Sequence, residues 1–270
     1  MKQYISLMMV AARSRLWQVL LITAGACTAE ILLFRSRVAV LTTETWTSLY
    51  NLLRQSRFPL VFTAGLMLVC LSLASFGMEW GGSKLGYTLR RLPCGEEKAT
   101  LVFALHHFFC LLIYWGGQVA VVWYMAGLYT NMGLTAIPPI DTYSPLLLFY
   151  ECEYLHGLLP VEDWPIYIRN VAMLATLAMV AATCSYHWRR GNKPFTILPL
   201  SVFAGLTFPA NTGTFGLPGP GSSFPASLPG LQVQPDVDII ASGLLYLALF
   251  LLSFGVATYN LLGRARYVDT

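Results

Sequence analysis

Six apolar runs separated by short polar stretches set the pattern of this chain. A run of about 20 apolar residues is long enough to cross the hydrocarbon core of a bilayer as an α-helix. The runs cover residues 16–34, 58–78, 99–129, 167–186, 194–209 and 237–262. No remaining segment is long enough to build a core of its own. The pattern therefore predicts an all-α, polytopic membrane protein with six transmembrane helices in a single domain, residues 1–270.

Two of these runs depart from ordinary span length. The third has 31 residues, or about 46 Å of helix against a core of about 30 Å, so it must tilt, protrude or kink. Its Gly116-Gly117 pair predicts either a bend or a close helix contact. The fifth has only 16 residues and contains Pro199, which predicts extra length or a kinked, partly re-entrant course. The Gly-, Pro- and Ser-rich stretch after it, 210–238, predicts a loop at the outer face.

Charge is unevenly divided between the two sides of the predicted membrane. With the spans alternating, 12 of the 17 Lys and Arg residues fall on the side of the N-terminus and five on the other. Basic residues mark the cytoplasmic side, so both termini are predicted to be cytoplasmic. The net charge of +4 follows from this topology and gives no indication of a nucleic-acid partner.

The second and third spans are joined by a short amphipathic segment, residues 79–99. Leu85, Leu89 and Leu92 lie at i, i+4 and i+7, which places them on one face of a two-turn helix. Pro93 ends that helix. Such a helix is suited to lie flat at the membrane surface and press its leucines into lipid or a partner protein. A solvated connector between two spans is the simpler interpretation.

Taken with the six spans, this loop resembles the cytoplasmic loop of the type-2 ABC exporter permeases of the compact, six-helix kind. The resemblance is carried by an acidic residue after the second span and a short Gly-Tyr-Thr-Leu run that ends in Leu-Pro. In this sequence these residues are Glu79, Gly86, Tyr87, Thr88, Leu89, Leu92 and Pro93. In that family the loop holds a coupling helix that docks on the ATPase subunit, and Leu85 would belong to its docking face. The family also has an N-terminal elbow helix, here expected within residues 1–15.

The resemblance implies an export function that this chain does not perform alone. It implies a second permease half, identical or homologous, and two ABC ATPase subunits that bind ATP and Mg²⁺. The chain itself would then be a transport subunit and not an enzyme, surrounded by lipid in the cell membrane of a bacterium. The alternative is a non-catalytic membrane scaffold or an immunity-type binding protein.

Four residues within the spans are candidates for the wall of a substrate path: Glu30, His106, Gly116 and Gly117. Glu30 is the one charged residue of the first span, and we expect it to pair with Arg35 or Arg37 at the interface. His106 and His107 are adjacent and so point about 100° apart on a helix. A hydrogen bond from a histidine to a neighbouring helix is the simplest expectation, with a proton relay or ligand site as the alternative.

The polar segments predict little chemistry of their own. Residues 35–57 and 146–159 each predict a helix on the outer surface. The acidic residues of the loop from Thr130 to Ile166 lack a recognised metal-ligand spacing. The sequence contains no GxxxxGK[ST], HExxH, GxSxG or CxxC motif. We therefore predict neither catalytic nor metal-binding residues in this chain.

Overall fold

The computed structural model of the chain describes residues 2–39, 49–77, 96–131, 157–159, 164–189, 191, 195–207, 244–256 and 259. Those residues form helices and short turns, with no strand among them. The helices are α1 (Lys2–Val38), α2 (Leu49–Gln55), α3 (Phe58–Ala74), α4 (Glu96–Asn131), α5 (Trp164–Arg189), α6 (Ile197–Thr207) and α7 (Leu244–Val256).

Three helices are long and apolar enough to cross a membrane, over Tyr4–Val38, Lys98–Thr130 and Ile166–Arg189. Two further apolar helices are shorter, and the longer of these, α3, has 17 residues, or about 25 Å. The prediction of an all-α protein is confirmed for the described residues, and three of their helices could cross a membrane. The six separate crossings stay a prediction.

The N-terminal segment and the first predicted span form one uninterrupted helix. Helix α1 has 37 residues, which correspond to about 56 Å. Its first turns are part of the bundle, because Leu7 and Ala11 are buried with Phe76 and Phe103 in a small apolar cluster of their own. The separate elbow helix is therefore not confirmed.

The helix ends assigned to the cytoplasm meet at one end of the bundle. The start of α1, the end of α3, the start of α4 and the end of α5 contact one another there. We call this the inner end, after the predicted topology, and the end of the bundle near Trp164 the outer end. The alternating direction of these four helices agrees with the hydropathy pattern.

Helix α5 lies inside the bundle and α1 lies at its edge. In the most apolar stretch of α5, 67% of the residues are buried, against 22% in α1. Helix α5 packs against α3, α4 and α6, and α4 also packs against α1. The remaining face of α1 exposes large apolar side chains such as Trp17, Leu21 and Leu32, as expected of a surface in contact with lipid.

The short helices α2 and α6 lie where the sequence predicts helices, but α6 lacks the predicted kink at Pro199. Helix α2 buries Leu49, Leu52 and Leu53 against α1 and α3. A helix within 35–57 is therefore confirmed, and its place on the outer surface stays a prediction. Helix α6 has 11 residues and begins at Ile197. Pro199 therefore falls in its first turn, where a missing N–H breaks no helical hydrogen bond, and it does not kink the helix.

Candidate functional site

Helices α1 and α4 approach closely at Gly117. A Cβ atom added there would lie 2.6 Å from Thr23 Cγ2 and 3.5 Å from Cys27 Sγ, whereas one added at Gly116 would meet nothing within 4 Å. Helix α4 is continuous through both residues. Of the two predictions for this pair, the close helix contact is confirmed for Gly117, and no break of the helix accompanies it.

Glu30 is buried against α4 next to this contact. With the Gln118 amide nitrogen turned toward it, that nitrogen lies 2.9 Å from Glu30 Oε1 and 3.1 Å from Glu30 Oε2. Glu30 is 1% exposed and Gln118 is 0% exposed. We call these two residues the carboxyl–amide pair. The sequence offered no reason to select Gln118 beyond its being a polar residue in an apolar run.

The predicted pairing of Glu30 with Arg35 or Arg37 is wrong. Arg35 is exposed and donates a hydrogen bond to Tyr124 Oη of α4 at 2.8 Å, and Arg37 is exposed. Helical geometry gives the reason. Glu30 lies on the buried face of α1 together with Ala26 and Phe34, at four-residue spacing, whereas Arg35 and Arg37 lie on the exposed face.

The surroundings of the carboxyl–amide pair are neutral and enclosed. Cys27 lies near the carboxyl group on α1, and Tyr114 lies near it on α4. The Tyr114 hydroxyl is already engaged, because it donates to the Phe62 carbonyl of α3 at 2.7 Å. In the described part of the chain, the Gln118 amide is the one hydrogen-bond partner of Glu30. An ionisable group held inside a membrane helix bundle by a neutral amide is expensive and is commonly functional.

The histidine pair lies elsewhere, nearer the inner end. His106 and Gln118 are 12 residues apart on α4, or about 18 Å. The ring nitrogens of His106 lie 3.7 and 3.9 Å from Cys110 Sγ on the same helix. The His107 ring is 0% exposed and lies beside the Ala178 backbone of α5, although no described group meets its nitrogens at hydrogen-bond geometry. The candidate path residues therefore form two groups, with Glu30 and Gly117 together and His106 apart.

At the inner end, two arginines bind carbonyls of the turn that directly follows α3. Arg15 of α1 donates to the Ser75 carbonyl at 2.5 Å. Arg189 of α5 donates through Nη1 to the Phe76 carbonyl at 3.3 Å and to Ser185 Oγ at 2.6 Å. Ser185 donates to the same Phe76 carbonyl at 2.8 Å. We call Arg15, Ser185 and Arg189 the inner latch.

The inner latch fixes the point where the chain leaves α3. Phe76 is 0% exposed and stacks edge-on with Phe103 at 4.8 Å, and the Arg189 guanidinium lies 6.0 Å from the Phe103 ring. Gly77 follows with φ of 77°, the left-handed conformation that ends helices. Cations at a helix C-terminus also complement its partial negative charge. The chain therefore enters the predicted coupling loop from an anchored position.

The residues of that loop, all within the gap between the turn after α3 and the start of α4, lie outside the described part of the chain. They are Glu79, Leu85, Gly86, Tyr87, Thr88, Leu89, Leu92 and Pro93. The helix predicted over 146–159 is described only at its end, where Gly157 and Leu158 are helical.

A second buried cation lies at the outer end of α5. Arg169 is 3% exposed, and its Nε and Nη2 lie 3.3 and 3.2 Å from Asn170 Oδ1. The Asn170 amide donates to the Gly157 carbonyl at 2.9 Å, and Trp115 Nε1 of α4 donates to the Leu158 carbonyl at 3.1 Å. The sequence carried a signal for this site, because Arg169 stands inside the fourth apolar run.

The described residues contain no candidate metal site, and the comparisons with known proteins give no match. Within the described ranges, no group of three or more His, Cys, Asp and Glu side chains is arranged to hold a metal ion. Comparison of the chain with protein-family models, with curated proteins and with solved structures gives no match.

Proposed function

We propose that this chain is the membrane-spanning subunit of an ATP-driven exporter. Together with a second permease half it would form the translocation path, and two separate ATPase subunits would supply the energy. The observation that carries the proposal is the loop sequence, with Leu85, Leu89 and Leu92 on one face between two apolar helices. The six apolar runs and the excess of basic residues on the side of this loop support the same proposal.

The inner latch supports a coupling role for this loop. A loop that transmits force must be attached to the helices that move, and the turn after α3 has carbonyls that are bound from both sides. Arg15 belongs to α1 and Arg189 to α5, so a displacement of the loop's starting point acts on three helices at once. A solvated connector would need no such attachment.

The carboxyl–amide pair is our candidate for the path wall. Glu30 and Gln118 face the interior of the bundle near the outer end of α1, and Gly117 lets α1 and α4 approach beside them. Ionisable side chains that face a membrane bundle's interior mark substrate or ion pathways by default. His106, about 18 Å further toward the inner end, would line a different part of such a path.

The proposal is tested by Leu89→Asp in the loop. If the leucine face docks on an ATPase subunit, losing one buried leucine costs about 1.5–3 kcal/mol, which corresponds to about 10- to 150-fold weaker association. A buried, unpaired carboxylate would add to that loss. The measurement is co-purification of an ABC ATPase subunit with the chain, together with substrate-stimulated ATP hydrolysis in reconstituted membranes. Lys84→Ala, on another face of the predicted helix, is the control and should leave both unchanged.

The same experiment separates the exporter from the scaffold alternative. A surface loop that faces only water tolerates such substitutions within about 0.5 kcal/mol. If Leu89→Asp retains full ATPase association and coupled hydrolysis, the loop is not the coupling element. If no ATPase associates with the unmodified chain at all, a membrane scaffold or binding protein becomes the better interpretation.

A further inference from the structure

The guanidinium of Arg169 is buried at the outer end of α5 with only a neutral partner. Arginine carries five N–H donors, and the contacts to Asn170 Oδ1 use two of its three nitrogens. In the described part of the chain, no carboxylate forms an ion pair with Arg169. A permanently charged group in such surroundings lowers stability unless an anion joins it.

The burial of Arg169 runs against the usual behaviour of arginine at a membrane boundary. The stretch of α5 that could span a membrane begins at Ile166, three residues earlier, so Arg169 lies about 4.5 Å along the helix, near the predicted boundary of the membrane. An arginine at that depth normally extends to water. Here the side chain turns inward, whereas its neighbours Ile168 and Val171 are 50% and 51% exposed on the lipid-facing side.

The groups that enclose Arg169 are neutral on every described element. Its own helix contributes the Asn170 amide. Helix α7 contributes the buried side chain of Tyr246, a titratable group close enough to interact electrostatically with the guanidinium. The segment containing Gly157 and Leu158 is fixed beside it by the Asn170 amide and by the Trp115 indole of α4. The described surroundings therefore hold the guanidinium in place and contribute no negative charge to it.

We propose that Arg169 binds the anionic head group of an amphiphile in the outer leaflet. A guanidinium with free fork positions is suited to carboxylate and phosphate oxygens, which it binds with two parallel hydrogen bonds. The depth of the site and the lipid-facing apolar side chains on either side of it select a ligand with a hydrocarbon tail. Such a site is not part of the proposed export function, and a transporter or a scaffold could carry it equally well.

The test is thermal unfolding of the full chain in micelles of the neutral detergent dodecyl maltoside. The probes are laurate and dodecyl phosphate, with dodecyltrimethylammonium as the cationic control of equal tail length. A ligand that binds only the folded chain raises Tm, so we expect a rise of about 2 °C or more with at least one anionic probe and none with the cationic probe. The anion that gives the larger rise identifies the head group, and no rise with either one overturns the proposal.

Three variants test whether this effect depends on Arg169. Arg169→Gln should lose the rise in Tm, whereas Arg35→Gln should keep it, because Arg35 is an exposed arginine bonded to a tyrosine hydroxyl. Arg169→Lys should keep a reduced rise, since lysine retains the charge but not the fork. Retention of the full rise in Arg169→Gln would overturn the proposal.

The change in Tm of Arg169→Gln in the absence of any probe is an independent test. Removing a buried, uncompensated charge should leave Tm unchanged or raise it. A fall of about 2 °C or more in unliganded Arg169→Gln would instead indicate that the charge is paired with a carboxylate of the chain itself, and the site would then be structural.

Discussion

Buried ionisable side chains have different kinds of hydrogen-bond partner at the two ends of the bundle. At the inner end, Arg15 and Arg189 direct their hydrogen bonds to the carbonyls of Ser75 and Phe76. At the outer end, Arg169 is bonded to the amide oxygen of Asn170. Further along the same outer half, the carboxyl group of Glu30 is bonded to the Gln118 amide.

The inner arrangement is explained by stability. The last carbonyls of a helix have no partner within it and carry partial negative charge, so cations that bind them satisfy two needs at once. A neutral side-chain amide is not a helix-terminal group. Its contact with a buried ion therefore neither supplies a partner for a helix end nor compensates the charge of the ion. The difference is the reason that we propose functional roles, and not structural ones, for Glu30 and Arg169.

The largest effect on stability is expected at the inner latch. Arg189→Ala removes the hydrogen bonds to the Phe76 carbonyl and to Ser185 Oγ, as well as a cation at the end of α3. We expect a loss of about 2–4 kcal/mol in the free energy of unfolding, measured by denaturant titration in micelles. Arg189→Lys should lose less, because it keeps the charge. A loss under about 0.5 kcal/mol for the alanine variant would remove the structural explanation of the inner end.

An intermediate effect is expected at the α1–α4 contact. The added methyl group of Gly117→Ala would collide with Thr23 Cγ2, and overpacking of this kind costs about 1–3 kcal/mol. Gly116→Ala is the matched control. It meets open space and should be neutral or stabilising by up to about 1 kcal/mol. Equal effects of the two substitutions on the free energy of unfolding would contradict the close contact at Gly117.

The smallest effect on stability is expected at the carboxyl–amide pair. Glu30→Gln keeps the shape and an oxygen that can accept from the Gln118 amide, so the free energy of unfolding should change by no more than about 1 kcal/mol. If the pair lines the path, the same variant should lose transport in reconstituted vesicles. Glu30→Ala is the contrasting variant, because it leaves the buried amide of Gln118 without its partner and should cost about 1–3 kcal/mol. Wild-type transport by Glu30→Gln would exclude a path role for the carboxyl group.

The correct predictions of helix position and length follow from local patterns in the sequence. The positions of six of the seven named helices follow from apolar runs, that of α2 follows from the helix predicted within 35–57, and the over-length of α4 follows from counting residues. These features depend on hydropathy and helical rise, which act over a few neighbouring residues. The same local rules were less reliable at helix ends. Residues 2–15 continue α1 without a break, and α6 begins two residues before Pro199.

The sequence by itself thus determined the class of the protein, the course of its apolar helices and the candidate polar positions within them. The tertiary structure decided which neighbour each of those positions meets. It assigned Gln118 and not Arg35 to Glu30, gave Gly117 and not Gly116 to the contact with α1, and turned Arg169 inward. The physical reason is that apolarity acts residue by residue, whereas a partner is chosen by the rotation and pairing of helices far apart in the chain.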